Sequence, residues 1–291
     1  VAPIFIARDS AAYNHLIGKA QAGVTNTFLF QIPDGRDSTI ISTKSSFTLN
    51  SVILYDTLHL KSGITGHLVF DQFIPPANQE LETAFAFFNQ NNITDLIIDL
   101  RYNVGGVFSV LTNLASYIAG AAKYNMPFLK LINNDKNTAK NQTFNFKPVS
   151  YPLNLTKLIT INSRGTASAS EDLINGLKPY FNVISIGDTT DGKPVGMELV
   201  QYKTNYMFWP ITFSVVNSAD QGEFYMGIAP KKYVPDDITR DWNDRNEFCL
   251  KEAIYYLENG SVSSKGAYTY QPLIRISEKS EKMNNAFLIN N

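Results

Sequence analysis

The chain has 291 residues and a formal net charge of −1, from 25 lysines and arginines and 26 aspartates and glutamates. This balance disfavours nucleic acid or an anionic membrane as a partner held by the overall field. The length allows a core that needs no disulfide or metal. One cysteine excludes an internal disulfide, and three histidines leave little for a zinc site or for histidine catalysis.

The first 47 residues are predicted to form a helix and a hairpin. Residues 10–21 carry apolar side chains at helical spacing, with Ser10 as the N-cap. Strands at 25–32 and 38–44 are joined by the segment Pro-Asp-Gly-Arg-Asp, which is typical of a hairpin turn. The apolar patterns at 50–60 and 66–74 predict a further pair of strands.

The pattern then changes to alternating helices and strands. An amphipathic helix is predicted at 78–91, with one apolar face formed by Leu81, Ala84, Phe85 and Phe88. Continuous apolar runs typical of strands buried on both faces follow at 95–101, 126–133, 156–162 and 181–187. Helices are predicted between them at 107–119 and 168–180, and a polar excursion at 134–148. This alternation predicts a mostly parallel sheet with right-handed crossovers.

The last third of the chain is predicted to add antiparallel strands and a final helix. The strands are expected at 205–217 and 223–228. The helix is expected at 244–258, with Asp244 as its N-cap and Cys249 as a small buried hydrophobic residue. The tail after residue 270 is expected to be loose.

Three segments place unusual residues at the carboxyl ends of the predicted parallel strands, where sites collect in such sheets. Gly105 and Gly106 allow a tight turn into a helix with free N–H groups, although an ordinary turn has the same pattern. Ser168 begins a helix beside the Ala169 N–H, although a serine there is also a good N-cap. Lys193 follows the next strand and is a candidate base, although an ordinary solvated lysine in a loop would have the same pattern.

Taken together, these segments bring a nucleophile, a base and oxyanion donors to one sheet edge. A serine needs a base to become nucleophilic, and a desolvated, neutral lysine can supply one. Asp188 and Asp191 favour the opposite interpretation, because a nearby carboxylate would keep Lys193 charged. The residues alone therefore leave a serine–lysine hydrolase and a set of ordinary turns both open.

Three motifs resemble those of the C-terminal processing (tail-specific) serine peptidases: DLIIDLRYNVGG at 95–106, GTASASE at 165–171 and IGDTTDGKP at 186–194. The resemblance covers roughly residues 48–260. It implies that Ser168 is the nucleophile and Lys193 the general base. It also implies an oxyanion hole formed by backbone groups of Gly105, Gly106 and Ala169. Glu171 would either support the lysine or cap the helix.

The resemblance also implies a fold and a domain order. The fold would be α/β with mixed α+β character, built on a β/α spiral related to ClpP and crotonase. Residues 1–47 would be the C-terminal part of a truncated PDZ-like domain, residues 48–270 the catalytic core, and residues 271–291 a tail.

The implied function is a serine endopeptidase acting on proteins or peptides through an acyl-enzyme, with no cofactor, metal or nucleic acid. The implied location is the bacterial periplasm or cell envelope, with any membrane attachment in a region before Val1. Pro194 follows the lysine, Met197 stands where the family often has a glutamine, and Pro179 stands where it can have an aspartate. The third catalytic member is therefore unassigned.

Two alternatives remain open at this point. The first is a peptide-binding module that keeps the peptidase fold with weak or no activity, and the departures at Pro194 and Met197 motivate it. The second is a crotonase-like acyl-CoA enzyme. It is disfavoured, because that chemistry has no role for the paired serine and lysine motifs.

Overall fold

The computed structural model describes residues 17–31 and 35–264, which fall into two units divided after Leu49. In the first unit, β1 (Thr25–Gln31) pairs antiparallel with β2 (Asp37–Thr43), which confirms the predicted hairpin. Most of the helix predicted at 10–21 and the tail after 270 lie outside the described residues. The assignment of residues 1–47 to a PDZ-like domain stays a prediction.

The second unit contains the remaining regular elements of the described chain. Its strands are β3 (Val52–Leu60), β4 (Gly63–Phe70), β5 (Asp95–Asp99), β6 (Pro127–Asn133), β7 (Gln142–Asn145), β8 (Lys157–Asn162), β9 (Val183–Gly187), β10 (Val195–Met197), β11 (Val200–Tyr202), β12 (Tyr206–Phe208), β13 (Ile211–Asn217) and β14 (Lys232–Tyr233). Its α-helices are α1 (Ala77–Gln90), α2 (Phe108–Ala119), α3 (Ala169–Leu177) and α4 (Phe248–Asn259). No helix of the described chain is long and apolar enough to cross a membrane.

A six-stranded sheet with the order β14-β9-β8-β5-β4-β3 forms the centre of this unit. All neighbouring strands are parallel except β3, which runs antiparallel to β4. The predicted mostly parallel sheet is therefore confirmed. Because β5, β8 and β9 run in the same direction, the loops that follow them leave from one edge of the sheet.

The central strands are buried on both faces, which explains their continuous apolar runs. In β5, Leu96 and Ile98 belong to the core formed with α1, α2 and α3, whereas Ile97 belongs to a second core formed with α4. Cys249 is 1% exposed within that second core, as predicted for a buried hydrophobic residue.

A second sheet, with the order β10-β13-β6-β7, corrects the prediction for residues 126–148. β6 is a strand, but it pairs antiparallel with β13 and β7 and takes no part in the parallel sheet. The predicted polar excursion contains β7. The two errors have different causes. A short apolar run such as β6 does not reveal which strands will pair with it. β7 exposes most of its side chains, so its sequence resembles that of a loop.

Residues 205–228 also differ from the prediction. The strand expected at 205–217 is divided into β12 and β13 at Trp209 and Pro210, since proline cannot donate a ladder hydrogen bond. Residues 223–228 form no strand. They turn instead, with the Gly227 N–H donating to the Phe224 carbonyl at 2.8 Å.

The prediction that Asp244 caps the last helix is wrong. The helix begins at Phe248, and the Glu247 carboxylate accepts the Leu250 N–H at 2.7 Å. Asp244 lies in the preceding turn, where it accepts the Asn246 N–H at 2.8 Å. The error arises because both acidic residues precede the apolar run, and a sequence does not show which of them meets a free helical N–H.

Candidate active site

Ser168 lies at the N-terminus of α3, in the loop that follows β8. Its backbone has φ 56° and ψ −120°, a conformation that is unusual for a residue with a side chain. Its N–H donates to Glu171 Oε2 at 2.9 Å, as in a capping box. The side chain is half-buried. The turn thus places a serine hydroxyl where the first N–H groups of a helix are available.

Gly105 packs directly against this serine. A Cβ atom at Gly105 would lie 2.8 Å from the Ala167 carbonyl oxygen and the Ala169 nitrogen, and 2.9 Å from Ser168 Cβ. Its φ of 96° also favours glycine. Only a residue without a side chain lets the turn after β5 come this close to the start of α3.

Gly106 fixes the same turn to the segment that follows β4. A Cβ at this position would lie 2.2 Å from the Phe73 carbonyl oxygen. That oxygen accepts the Val107 N–H at 2.8 Å, and the Phe73 N–H donates to the Gly105 carbonyl at 3.0 Å. The glycine pair is therefore held between two neighbouring segments.

The predicted oxyanion donors differ in their present hydrogen bonds. The Gly105 N–H donates to Asn103 Oδ1 at 2.9 Å, so it is engaged within its own turn. Within the described part of the chain, the N–H groups of Gly106 and Ala169 have no hydrogen-bond partner. These two groups fit the role of donors to a ligand better than Gly105 does.

Asn103 connects the glycine turn with α3, and the sequence prediction did not include it. The side chain is fully buried and donates to the Phe70 carbonyl at 2.8 Å. The backbone carbonyl of Asn103 accepts the Ala167 N–H at 3.0 Å and the Ser170 hydroxyl at 2.9 Å. An asparagine two residues before a glycine was the available signal, because its amide readily bonds nearby backbone groups.

Glu171 connects the serine loop with the lysine loop. One carboxylate oxygen accepts the Gly192 N–H at 2.7 Å and the Thr190 hydroxyl, and the other accepts the N–H groups of Ser168 at 2.9 Å and Lys193 at 2.8 Å. The side chain is fully buried. Four donors around a carboxylate offset the cost of burying it. One residue thereby sets the separation of the Ser168 and Lys193 backbones.

Lys193 is half-buried, and its backbone is held on both sides. On one side, the Lys193 N–H donates to Glu171. On the other side, the carbonyl of the next residue, Pro194, accepts the Val215 N–H at 2.9 Å. Asp188, one of the two acidic residues expected to keep this lysine charged, forms an ion pair with Arg164, with 3.1 Å between Oδ2 and Nε. Among the described residues, no hydrogen bond joins the Ser168 hydroxyl to the Lys193 amine. The structure thus brings the two loops together without closing that contact.

Asp172 follows Glu171 in α3 and is a second site residue that the sequence prediction missed. It is 1% exposed, and its Oδ1 atom has no hydrogen-bond partner among the described residues. Burial, and next the negative charge of Glu171, raise its pKa well above the usual range, while the charge of Lys193 acts in the opposite direction. A buried carboxyl group with a raised pKa thus lies within the electrostatic reach of the lysine.

Arg101 anchors the end of β5 on the other side of the glycine turn. Its buried guanidinium contacts Asp99 at 2.7 Å, Glu247 at 2.8 Å and Asp236 at 2.7 Å. Burial would lower the pKa of Arg101, but Asp99 and the other acidic neighbours outweigh it and raise the pKa. This cluster holds the turn in place. Within residues 17–31 and 35–264, no group of acidic, histidine and cysteine side chains is arranged to hold a metal ion.

Comparisons with known proteins show the family and the fold of this chain. The model of peptidase family S41 matches residues 64–234, which include all three motifs. A Bacteroides fragilis protein described as an S41 protease has 22% identity and a TM-score of 0.71, over 81% of this chain and 66% of its own. The photosystem II D1 C-terminal processing protease has 18% identity and a TM-score of 0.56, over 74% of this chain and 56% of its own. These structures confirm the mixed α/β fold.

Proposed function

This chain belongs to peptidase family S41, and we propose that it is a serine endopeptidase with Ser168 as nucleophile and Lys193 as general base. The observation that carries this proposal is the Glu171 carboxylate, one oxygen of which accepts the N–H groups of both residues. The chain spans 66% and 56% of the two solved proteins it resembles, so the activity of the whole protein is part of the proposal.

In the proposed reaction, the neutral Lys193 amine removes the Ser168 proton as Oγ attacks the scissile carbonyl carbon. The oxyanion that forms accepts hydrogen bonds from the Gly106 and Ala169 N–H groups, at the positive end of α3. The lysine then gives the proton to the leaving amine, and an acyl-enzyme remains. A water molecule, deprotonated by the same lysine, hydrolyses the ester and restores Ser168.

The missing hydrogen bond between Ser168 and Lys193 is compatible with this reaction. Contacts between catalytic groups are often long without substrate and shorten when the substrate binds. The Glu171 bonds fix the backbones of both residues, so only the flexible lysine side chain has to move.

The proposed substrates are proteins or peptides, and the proposed location is the bacterial periplasm or cell envelope. Both extend the resemblance to the C-terminal processing peptidases. The PDZ-like assignment of residues 1–47 is proposed on the same basis, and capture of substrate C-termini is the role of a complete domain of that kind.

Cleavage of an unstructured protein tests the proposal. Ser168→Ala and Lys193→Met are expected to lower the cleavage rate by about a hundredfold or more, because each removes a group that acts in the transition state. Ser214→Ala and Lys251→Met are the matched controls. Ser214 lies on β13, and Lys251 is exposed on α4, on the other face of the central sheet. Cleavage by Ser168→Ala at the wild-type rate would contradict the proposal.

A peptide-binding module without activity is the second candidate. The open Ser168–Lys193 contact favours it, as does Met197, which is 39% exposed and offers no amide to orient the lysine. This candidate predicts that wild type and Ser168→Ala bind the same unstructured protein equally and that neither releases fragments. Fragments that appear only with wild type exclude it.

A further inference from the structure

A buried carboxyl group near the lysine has no role in the reaction as described so far. Asp172 is 1% exposed, and its Oδ1 atom has no hydrogen-bond partner among the described residues. Buried polar atoms are almost always paired, so one without a partner requires an explanation. Leucine would fill this interior position without that cost.

The charged groups that act on Asp172 are Glu171, which precedes it in α3, and Lys193 in the neighbouring loop. Burial, followed by the charge of Glu171, raises the pKa of Asp172, and the positive charge of Lys193 lowers it. Charge interactions of this kind require proximity. The Asp172 carboxyl therefore has a raised pKa and lies where it is affected by the charge of the lysine amine.

The packing of α3 puts Asp172 on the side of the lysine loop. Asn175 lies one helical turn further along α3 and lines a cavity of about 570 Å³ together with Pro194 and Val215. Residues three apart in a helix share a face, so Asp172 lies on the face that borders this loop. Lys193 immediately precedes Pro194, and its amine makes no hydrogen bond within the described chain.

We propose that Asp172 is a positioning residue for Lys193, whose amine donates a hydrogen bond to the neutral Asp172 carboxyl through Oδ1. This contact would give both unpaired groups a partner and would direct the lone pair of the amine toward Ser168. The neutral form is essential, because an ionised carboxylate would hold the lysine in its protonated, inactive form. The inference rests on the proposed function and deepens it.

Acylation of Ser168 by a fluorophosphonate tests the positioning role. Asp172→Leu is expected to slow acylation by about tenfold or more, because the amine loses its acceptor. Asp172→Asn, which keeps a carbonyl but cannot ionise, is expected to stay within about threefold of wild type. Asp172→Leu should resist unfolding by urea at least as well as wild type. Slower acylation of this variant would then not be due to a folding defect.

Asp95 provides the matched control. It is also buried, with an unpartnered Oδ1 atom and a pKa raised by burial, but it begins β5 at the opposite end of the strand from the site. Asp95→Leu should leave acylation unchanged. A wild-type rate in Asp172→Leu overturns the inference. So does an equal loss in Asp172→Asn and Asp172→Leu, or an equal loss in Asp95→Leu.

A second measurement needs no activity. The carbon-13 shift of the Asp172 carboxyl, assigned by its absence in Asp172→Asn, gives the pH at which this group ionises. Lys193→Met is expected to raise that pH, since the ionised carboxylate would lose a hydrogen-bond donor; no change would overturn the contact. If Ser168 of the wild type is not acylated, the proposed function fails, and this measurement alone decides whether Asp172 and Lys193 are neighbours.

Discussion

At the scale of single residues, Glu171 has the most consequences for the site. A helix cap would need only its bond to the Ser168 N–H, yet the same carboxylate also accepts hydrogen bonds from Thr190, Gly192 and Lys193. Its two expected roles, capping the helix and supporting the lysine, are thus compatible. Because two loops share this buried carboxylate, the same hydrogen bonds determine both the stability and the geometry of the site.

Glu171→Gln is expected to destabilise the protein by about 2 to 4 kcal/mol, because the new amide group faces donors and leaves them unpaired. Urea unfolding measures this loss. The control is Glu80→Gln: Glu80 accepts a backbone hydrogen bond from the Val52 N–H at 2.7 Å, and this variant should lose no more than about 1 kcal/mol of stability. Equal stability of Glu171→Gln and wild type would show that the four bonds contribute little.

At the scale of elements, the site depends on how closely the turn after β5 approaches the start of α3. Gly105 makes the approach possible, and Asn103 fixes it through bonds to Phe70, Ala167 and Ser170. The N–H groups of Gly106 and Ala169 belong to these two elements, so their spacing is set by this packing. A small shift of either element would change the spacing of these two N–H groups, which are the proposed oxyanion donors.

Gly105→Ala is therefore expected to slow Ser168 acylation by about tenfold or more, because the added methyl group pushes α3 away from the turn. It should also cost about 1 to 3 kcal/mol in backbone strain. Gly260→Ala is the matched control: its φ of 71° is also positive, but a Cβ there meets no atom within 4 Å. That variant should lose stability without losing acylation. Acylation at the wild-type rate in Gly105→Ala would contradict the close approach.

At the scale of the whole second unit, the central sheet contains a histidine that makes stability depend on pH. His67 lies on β4, is fully buried, and neither ring nitrogen has a hydrogen-bond partner among the described residues. Burial, and next the charge of Arg101, lower its pKa from 6.5 to about 4, whereas Asp56 acts in the opposite direction. The folded chain therefore favours the neutral ring.

The sign of this effect follows from the two states. Below pH 6.5 the unfolded chain binds a proton that the folded chain takes up only near pH 4, so stability falls across this window by about 3 kcal/mol. Urea unfolding between pH 7 and pH 4.5 measures the slope. His67→Leu should flatten it, whereas His59→Leu, at an exposed position, should not. An unchanged slope in His67→Leu would contradict the prediction.

The sequence predicted the parallel sheet well, because strands buried on both faces have continuous apolar runs, as Leu96, Ile97 and Ile98 illustrate. It failed for β6, since the apolar pattern of a strand does not specify which strand will pair with it. The loops with Ser168, Lys193 and the glycine pair were found because parallel strands end at one edge.

The supporting residues were harder to predict. Asn103 is recognised by its burial and by hydrogen bonds to residues distant in sequence, and Asp172 by its burial, features that a motif does not show. The N-cap of α4 was misplaced at Asp244 for a related reason: only the folded chain shows that the Glu247 carboxylate meets the Leu250 N–H. Catalytic assignments to Ser168 and Lys193 stay predictions until the chemistry is measured.

The most direct test of Ser168 as the nucleophile is mass spectrometry of the intact protein after treatment with a fluorophosphonate, followed by mapping of the modified peptide. We expect one adduct, located on Ser168, absent from Ser168→Ala and formed much more slowly in Lys193→Met. An adduct on another serine, or an equal adduct in Ser168→Ala, would contradict the assignment.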